Sequence, residues 1–170
     1  MKPIKRLLIL VRHGDAAGPE AKPGGDRARP LTEFGRREVG TLAAQMSAAK
    51  LKPAHGVTSP AARVLETAAI LARDLGVAGD AWGADETLYD PGSLAAARTA
   101  AASLPDEAAQ VVVVGHNPTL SVLASRLSGR DVALGTAEAA VLAAESDSWA
   151  AALSPEADGT WRLEGHLTPY

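Results

Sequence analysis

Leu7 to Val11 is an unbroken run of branched apolar residues, the pattern of a short strand covered on both faces. A second such run, Gln110 to Val114, carries four consecutive valines and reads as the clearest strand in the chain. After the first run, Gly14 to Pro30 is rich in glycine, proline and charge and cannot be regular throughout. Leu31 to Lys50 then predicts a helix with Thr32 as N-cap. Val39, Leu42, Ala43 and Met46 form its apolar stripe, with Arg36, Arg37 and Glu38 turned outward.

Ala54 to Pro60 reads as a weaker strand, followed by a helix that Pro60 introduces and Gly76 ends. Asp80 to Ser93 is a loop with room for one short strand, and Leu94 to Leu104 a third helix. Pro118 opens a fourth helix over Thr119 to Gly129. Beyond it the pattern changes: Glu138–Ser146, Ser148–Leu153 and Thr160–Leu167 are short segments separated by turns and read as antiparallel strands. This order predicts an α/β three-layer sandwich whose mostly parallel, doubly wound sheet has antiparallel C-terminal edge strands. The 170 residues fit a single domain, 1–170, without repeat or linker.

Composition narrows the function more than the fold. The net charge of −3 and the lack of any long basic run argue against nucleic acid as a partner. With no cysteine, the chain has no disulfide, thiolate nucleophile or Cys-based zinc site. Basic residues precede the first apolar run as in a signal peptide, but that run spans only about five to seven residues before Arg12. It is therefore read as the first strand of a cytoplasmic protein, and no segment approaches the roughly 20 apolar residues that would place the chain in a membrane.

Both strong strands end in a histidine, in Arg12-His13-Gly14 and in Gly115-His116-Asn117-Pro118. In a parallel sheet the two imidazoles share the carboxyl edge, where open α/β sheets place their ligands. Arg63, in the first turn of the helix after the second strand, reaches the same edge. Two arginines, two imidazoles and helix N-termini form a cationic pocket suited to a tetrahedral oxyanion, because guanidinium forks match phosphate oxygens. Zinc held by His13 and His116 is disfavoured by the arginines, and neither dinucleotide nor P-loop glycine spacing is present.

These residues resemble the histidine phosphatase superfamily, of phosphoglycerate mutase-like fold. Arg12–Gly14, the segment SPAARVLETA at Ser59–Ala68, and GHNP at Gly115–Pro118 match its three motifs in order over nearly the whole chain. RHGDA, RPLTEFGRREV and the short interval from Arg63 to His116 look most like the small SixA-like phosphohistidine phosphatase branch, which lacks a large cap insertion. The resemblance implies His13 as a neutral nucleophile that forms a phosphohistidine intermediate. Arg12, Arg63 and His116 then hold the equatorial oxygens and stabilise the developing charge. Gly14 offers close backbone approach and a carbonyl for the second ring nitrogen of His13, and Asn117 and Asp15 complete the expected substrate-binding set.

Glu86 corresponds by chain order to the proton donor of the family, with Asp15 as the alternative. No metal or cofactor is implied. The chain departs from larger mutases in lacking an asparagine shortly after Gly14, and it has Val64 where alanine is usual. Thr67 matches a common threonine, or else bonds its own helix backbone. His55 and His166 lie off the motifs and read as surface or structural. Lys22, Arg27 and Arg29 read by default as solvated loop residues, with steering of anionic substrates as the alternative. The expected activity is metal-independent hydrolysis of phosphohistidine on a protein, with inorganic phosphate as product. The alternatives are a monoesterase for a small phosphorylated metabolite (a sugar or nucleotide phosphate) and a non-catalytic phosphate-binding module.

Overall fold

The computed structural model describes residues 2–21, 23–89 and 93–170. The strands are β1 (Ile4–Arg12), β2 (His55–Thr58), β3 (Trp82–Ala84), β4 (Gln110–Gly115), β5 (Ala139–Ser146) and β6 (Arg162–Leu167). Between them run α1 (Glu33–Ala48), α2 (Ala62–Leu75), α3 (Leu94–Ala102), α4 (Thr119–Ser128) and the single-turn α5 (Trp149–Ala152). Among the short 3-10 turns, Gly25–Ala28 lies in the loop after β1 and Glu86–Tyr89 in the loop after β3.

The six strands form one sheet in the order β3-β2-β4-β1-β5-β6. β3, β2, β4 and β1 are mutually parallel, while β5 pairs antiparallel with β1 and β6 antiparallel with β5. The expected α/β architecture is therefore present, with a parallel sheet and an antiparallel C-terminal edge. Alternation along the central strands divides the core. Leu8, Leu10, Val111 and Val113 pack with α3, α4 and α5, whereas Ile9, Val11, Val112 and Val114 pack with α1 and α2. Strands buried on both faces must be apolar at every position, which is why β1 and β4 are legible as continuous runs.

The helix signals act as expected at the termini. Thr32 Oγ1 accepts from Gly35 N at 2.9 Å, and Gly76 and Gly129 end α2 and α4 with φ of 72° and 68°. Two expectations are corrected. Ser148–Leu153 is not a strand: Ser148 accepts from Ala151 N and caps the short helix α5, whose Trp149 is buried and stacks on Trp161. Glu38 does not face solvent: it is 3% exposed and lies on the same α1 face as Gly35, Val39 and Leu42. No described helix is long and apolar enough to cross a membrane.

Candidate active site

Sheet register brings the two histidine motifs together. Arg12 pairs with Gly115 at the ends of β1 and β4, and His13 N donates to Gly115 O at 3.2 Å. Ser59, leaving β2, likewise donates its N–H to Val114 O at 3.1 Å. The three carboxyl ends thus stop at one level, and the rings of His13 and His116 meet edge to face with centroids 5.5 Å apart.

Backbone partners set the ring tautomers. His13 Nδ1 lies 2.7 Å from Gly14 O, an oxygen that only accepts, so Nδ1 carries the proton and Nε2 keeps its lone pair. His116 Nδ1 faces the Arg63 Nη2 donor at 3.4 Å, so its Nε2–H donates to Ser59 Oγ at 2.8 Å. Burial first, then the Arg63, Arg12 and Arg29 charges, push His13 down to about 4 against the support of its Gly14 hydrogen bond. Burial followed by Arg63 and His13 lowers His116 to about 4 as well. Both imidazoles are therefore neutral near pH 7.

Close backbone packing holds the segment after His13. Gly14 N donates to Thr67 Oγ1 at 3.1 Å, and Thr67 in turn donates to Arg63 O at 2.7 Å, so this hydroxyl serves its own helix and the strand end together. A Cβ on Gly14 would stand 2.9 Å from both Gly35 O and Val39 Cγ2, a contact available to glycine alone.

The cationic groups converge, but one carboxylate stands among them. Arg63 is buried and donates Nη1 to Asp26 O at 2.9 Å and Nη2 to Asp26 Oδ2 at 3.3 Å. Asp26 also accepts from Tyr89 Oη at 2.7 Å and from Arg29 Nη1 at 2.9 Å. The Tyr89 hydrogen bond, then that from Arg29, hold its carboxyl down at about 2. Arg29, read from sequence as a solvated loop residue, instead belongs to this cluster and bonds Ala17 O through Nε at 2.6 Å. Arg12 donates Nη1 to Leu134 O at 3.2 Å, and its buried Nε has no partner among the described residues.

Glu86 lies at the rim rather than against the histidines. Its carboxylate is exposed and paired with both terminal nitrogens of Arg27, and this hydrogen bonding lowers its pKa. Arg27 also lies 5.3 Å from the Tyr89 ring centre. Asp15 accepts from Thr32 Oγ1 at 2.6 Å and is committed to the start of α1. The Asn117 side chain bridges Leu134 O, 2.6 Å, and Ser121 Oγ, 2.8 Å. His166 bonds Glu138 at 2.7 Å, and His55 lies on β2 at the far end from His116. Lys22 lies outside the described residues.

Asp26, Tyr89 and Ser59 were not singled out from sequence. Ser59 had a usable signal, since it follows β2 as His13 and His116 follow β1 and β4. Asp26 had none, because its position depends on how an irregular loop folds back over α2. Tyr89 faces His116 with ring centres 6.1 Å apart only because the turn after β3 brings it there.

Comparison with known proteins bears on the family and the fold. The family model of the histidine phosphatase superfamily (branch 1) matches residues 8–89. The solved structure of a proposed phosphohistidine phosphatase SixA from Agrobacterium tumefaciens superposes with a TM-score of 0.74 at 27% identity, over 96% of this chain and 98% of that one. The protein histidine phosphatase SixA complexed with tungstate shares the fold, with a TM-score of 0.75 at 20% identity over 96% and 97% of the two chains. An uncharacterised chloroplastic protein of Arabidopsis thaliana is 29% identical over 178 residues, 98% of this chain and 79% of its own length. Residues 8–89 match the histidine phosphatase superfamily, and with the SixA structures at 27% identity this supports a phosphatase of that superfamily. Over nearly its whole length the chain is similar to SixA structures.

Proposed function

We propose that this phosphatase hydrolyses phosphohistidine on a protein, without a metal, through a covalent intermediate on His13. His13 Nε2 attacks phosphorus as the bond to the leaving nitrogen breaks, and water then displaces the phosphoryl group from His13 as inorganic phosphate. Arg12, Arg63 and Arg29 supply donors for the equatorial oxygens. A phosphoryl dianion beside His116 raises the proton affinity of that ring, so Nδ1 gains a proton and joins them.

The observation that carries the substrate class is the state of two carboxylates around the pocket, Asp26 and Glu86. Asp26 is held ionised first by the Tyr89 hydrogen bond and then by Arg29, and Glu86 by its hydrogen bonds from Arg27. Neither has a proton ready for an alkoxide, whereas an imidazole leaving group departs without that help. Residues 1–170 are read as one domain with no large cap: between α2 and β4 the described elements are β3, a 3-10 turn and α3. This leaves room for a protein side chain to enter. The SixA relatives above point the same way.

The test is phosphate release from a phosphohistidine-carrying protein and from p-nitrophenyl phosphate, in chelator, with His13→Ala as control. Turnover of the phosphohistidine protein that depends on His13 and survives chelation is expected. Turnover of the ester alone would move the assignment to a small phosphorylated metabolite.

A further inference from the structure

We propose that Glu38 is a positioning residue for His13, acting through the Gly14–Asp15 peptide group. The two ends of this one planar unit have different partners: Gly14 O accepts from His13 Nδ1 at 2.7 Å, and Asp15 N donates to Glu38 Oε1 at 2.9 Å. A buried carboxylate therefore lies one peptide group away from the proposed nucleophile. The inference rests on the assignment of His13 as that nucleophile.

The surroundings of Glu38 are built for a charge. It is 3% exposed, and no cation pairs with it among the described residues. Its oxygens accept instead from Asp15 N, from Thr136 Oγ1 at 3.0 and 3.3 Å, and from Tyr170 Oη. A carboxylate buried without a counter-ion needs such donors, and hydrogen-bonded chains in a low-dielectric interior polarise one another. Charge on Glu38 pulls the Asp15 N–H and makes Gly14 O a stronger acceptor. The adjoining loop is held as well, since Ala137 N, next to Thr136, donates to His13 O at 3.0 Å.

The chemical consequence is specific. A neutral imidazole in water favours the Nε2–H form, which has no lone pair at the attacking atom. Gly14 O, strengthened by Glu38, holds the proton on Nδ1. When Nε2 donates its pair to phosphorus and the leaving group departs with the old bond pair, the ring becomes cationic. Its Nδ1–H bond to Gly14 O then strengthens, and the relay acts most at the moment charge develops.

Glu38→Gln tests this, because it keeps an acceptor for Asp15 N–H and removes the charge. The tautomer of His13 is read by 15N NMR in the intact chain at pH 8, and formation of the phosphoenzyme by rapid quench with p-nitrophenyl phosphate. The expected result is a wild-type Nδ1–H tautomer and a mixture in Glu38→Gln. Phosphoenzyme formation falls about 10–100-fold, the scale seen when the partner behind a functional histidine is lost, with KM within about twofold. A wild-type tautomer in a folded Glu38→Gln protein overturns the proposal. The double variant Thr136→Ala, Tyr170→Phe separates relay from loop attachment: it removes two neutral donors but leaves the Asp15 link, so the Nδ1–H tautomer is expected to persist, and its loss would also overturn the relay. Because the tautomer is read without substrate, an inactive wild-type protein would refute the phosphatase mechanism and still leave the relay measurable.

Discussion

Gly35 on α1 lies against the backbone of Asp15, so closely that a Cβ there would overlap the Asp15 carbonyl oxygen and stand 2.9 Å from its amide nitrogen. With the reciprocal contact at Gly14, this seats the segment after His13 directly on the helix. Alanine at an ordinary helix position gains about 1 kcal/mol over glycine. At position 35 the overlap reverses the sign, and Gly35→Ala is expected to lose about 1–3 kcal/mol net by urea denaturation. Phosphoryl transfer falls with it, since displacing Asp15 moves the carbonyl that orients His13.

Acid sensitivity follows from the two neutral imidazoles. The unfolded chain protonates them near 6.5 and the folded chain only near 4. Between these values the unfolded state binds more protons, so stability rises with pH from about 4 to 6.5 and is flat above. The two sites together contribute on the order of a few kcal/mol. Urea midpoints across that window are expected to climb in the wild type and to flatten in a His13→Gln, His116→Gln double variant. Asp26, held at about 2, acts lower, its stabilisation being lost as pH falls from about 3.8 towards 2.

Asp26 occupies donors that the proposed substrate needs. Asp26→Asn removes the negative charge from Arg63 and Arg29 while preserving the loop's shape. Inhibition by inorganic phosphate or tungstate is expected to tighten about three- to tenfold, a modest factor because the carboxylate is half exposed and screened. Unchanged inhibition constants would mean that the loop, rather than the charge, governs entry.

Glu86 is engaged with Arg27, so its removal should matter little to a leaving group that needs no acid. Glu86→Gln is expected to change phosphohistidine hydrolysis by no more than about twofold. Arg27→Ala should raise the Glu86 pKa toward its ordinary value by removing the hydrogen bonds that lower it. A gain in alkyl phosphate hydrolysis in Arg27→Ala, abolished by adding Glu86→Gln, would identify Glu86 as a latent proton donor. Absence of that gain would leave it a partner of the loop.

How far the site was legible depends on what each residue rests on. His13 and His116 follow runs of buried apolar residues, so their position follows from the strands and their proximity from parallel pairing. Arg63 was legible because helix starts after parallel strands face the same edge. Glu38 was misread through its residue type, although its spacing of three from Gly35 and four from Leu42 placed it on the buried face. Ser148–Leu153 was misread because a six-residue apolar segment does not distinguish strand from helix, and a serine cap decided it.

Local pattern by itself determined the alternating strands and helices, the helix ends at Gly76 and Gly129, and the motif residues Arg12, His13, Arg63 and His116. These depend on periodicity and backbone preference, which are properties of short stretches. Only the tertiary structure decided that Asp26 stands on Arg63, that Glu86 is tied to Arg27, and that Glu38 reaches His13 through a peptide group. Those relations join residues from irregular loops to helices far away in sequence, and they arise where burial leaves charges and polar groups in need of partners.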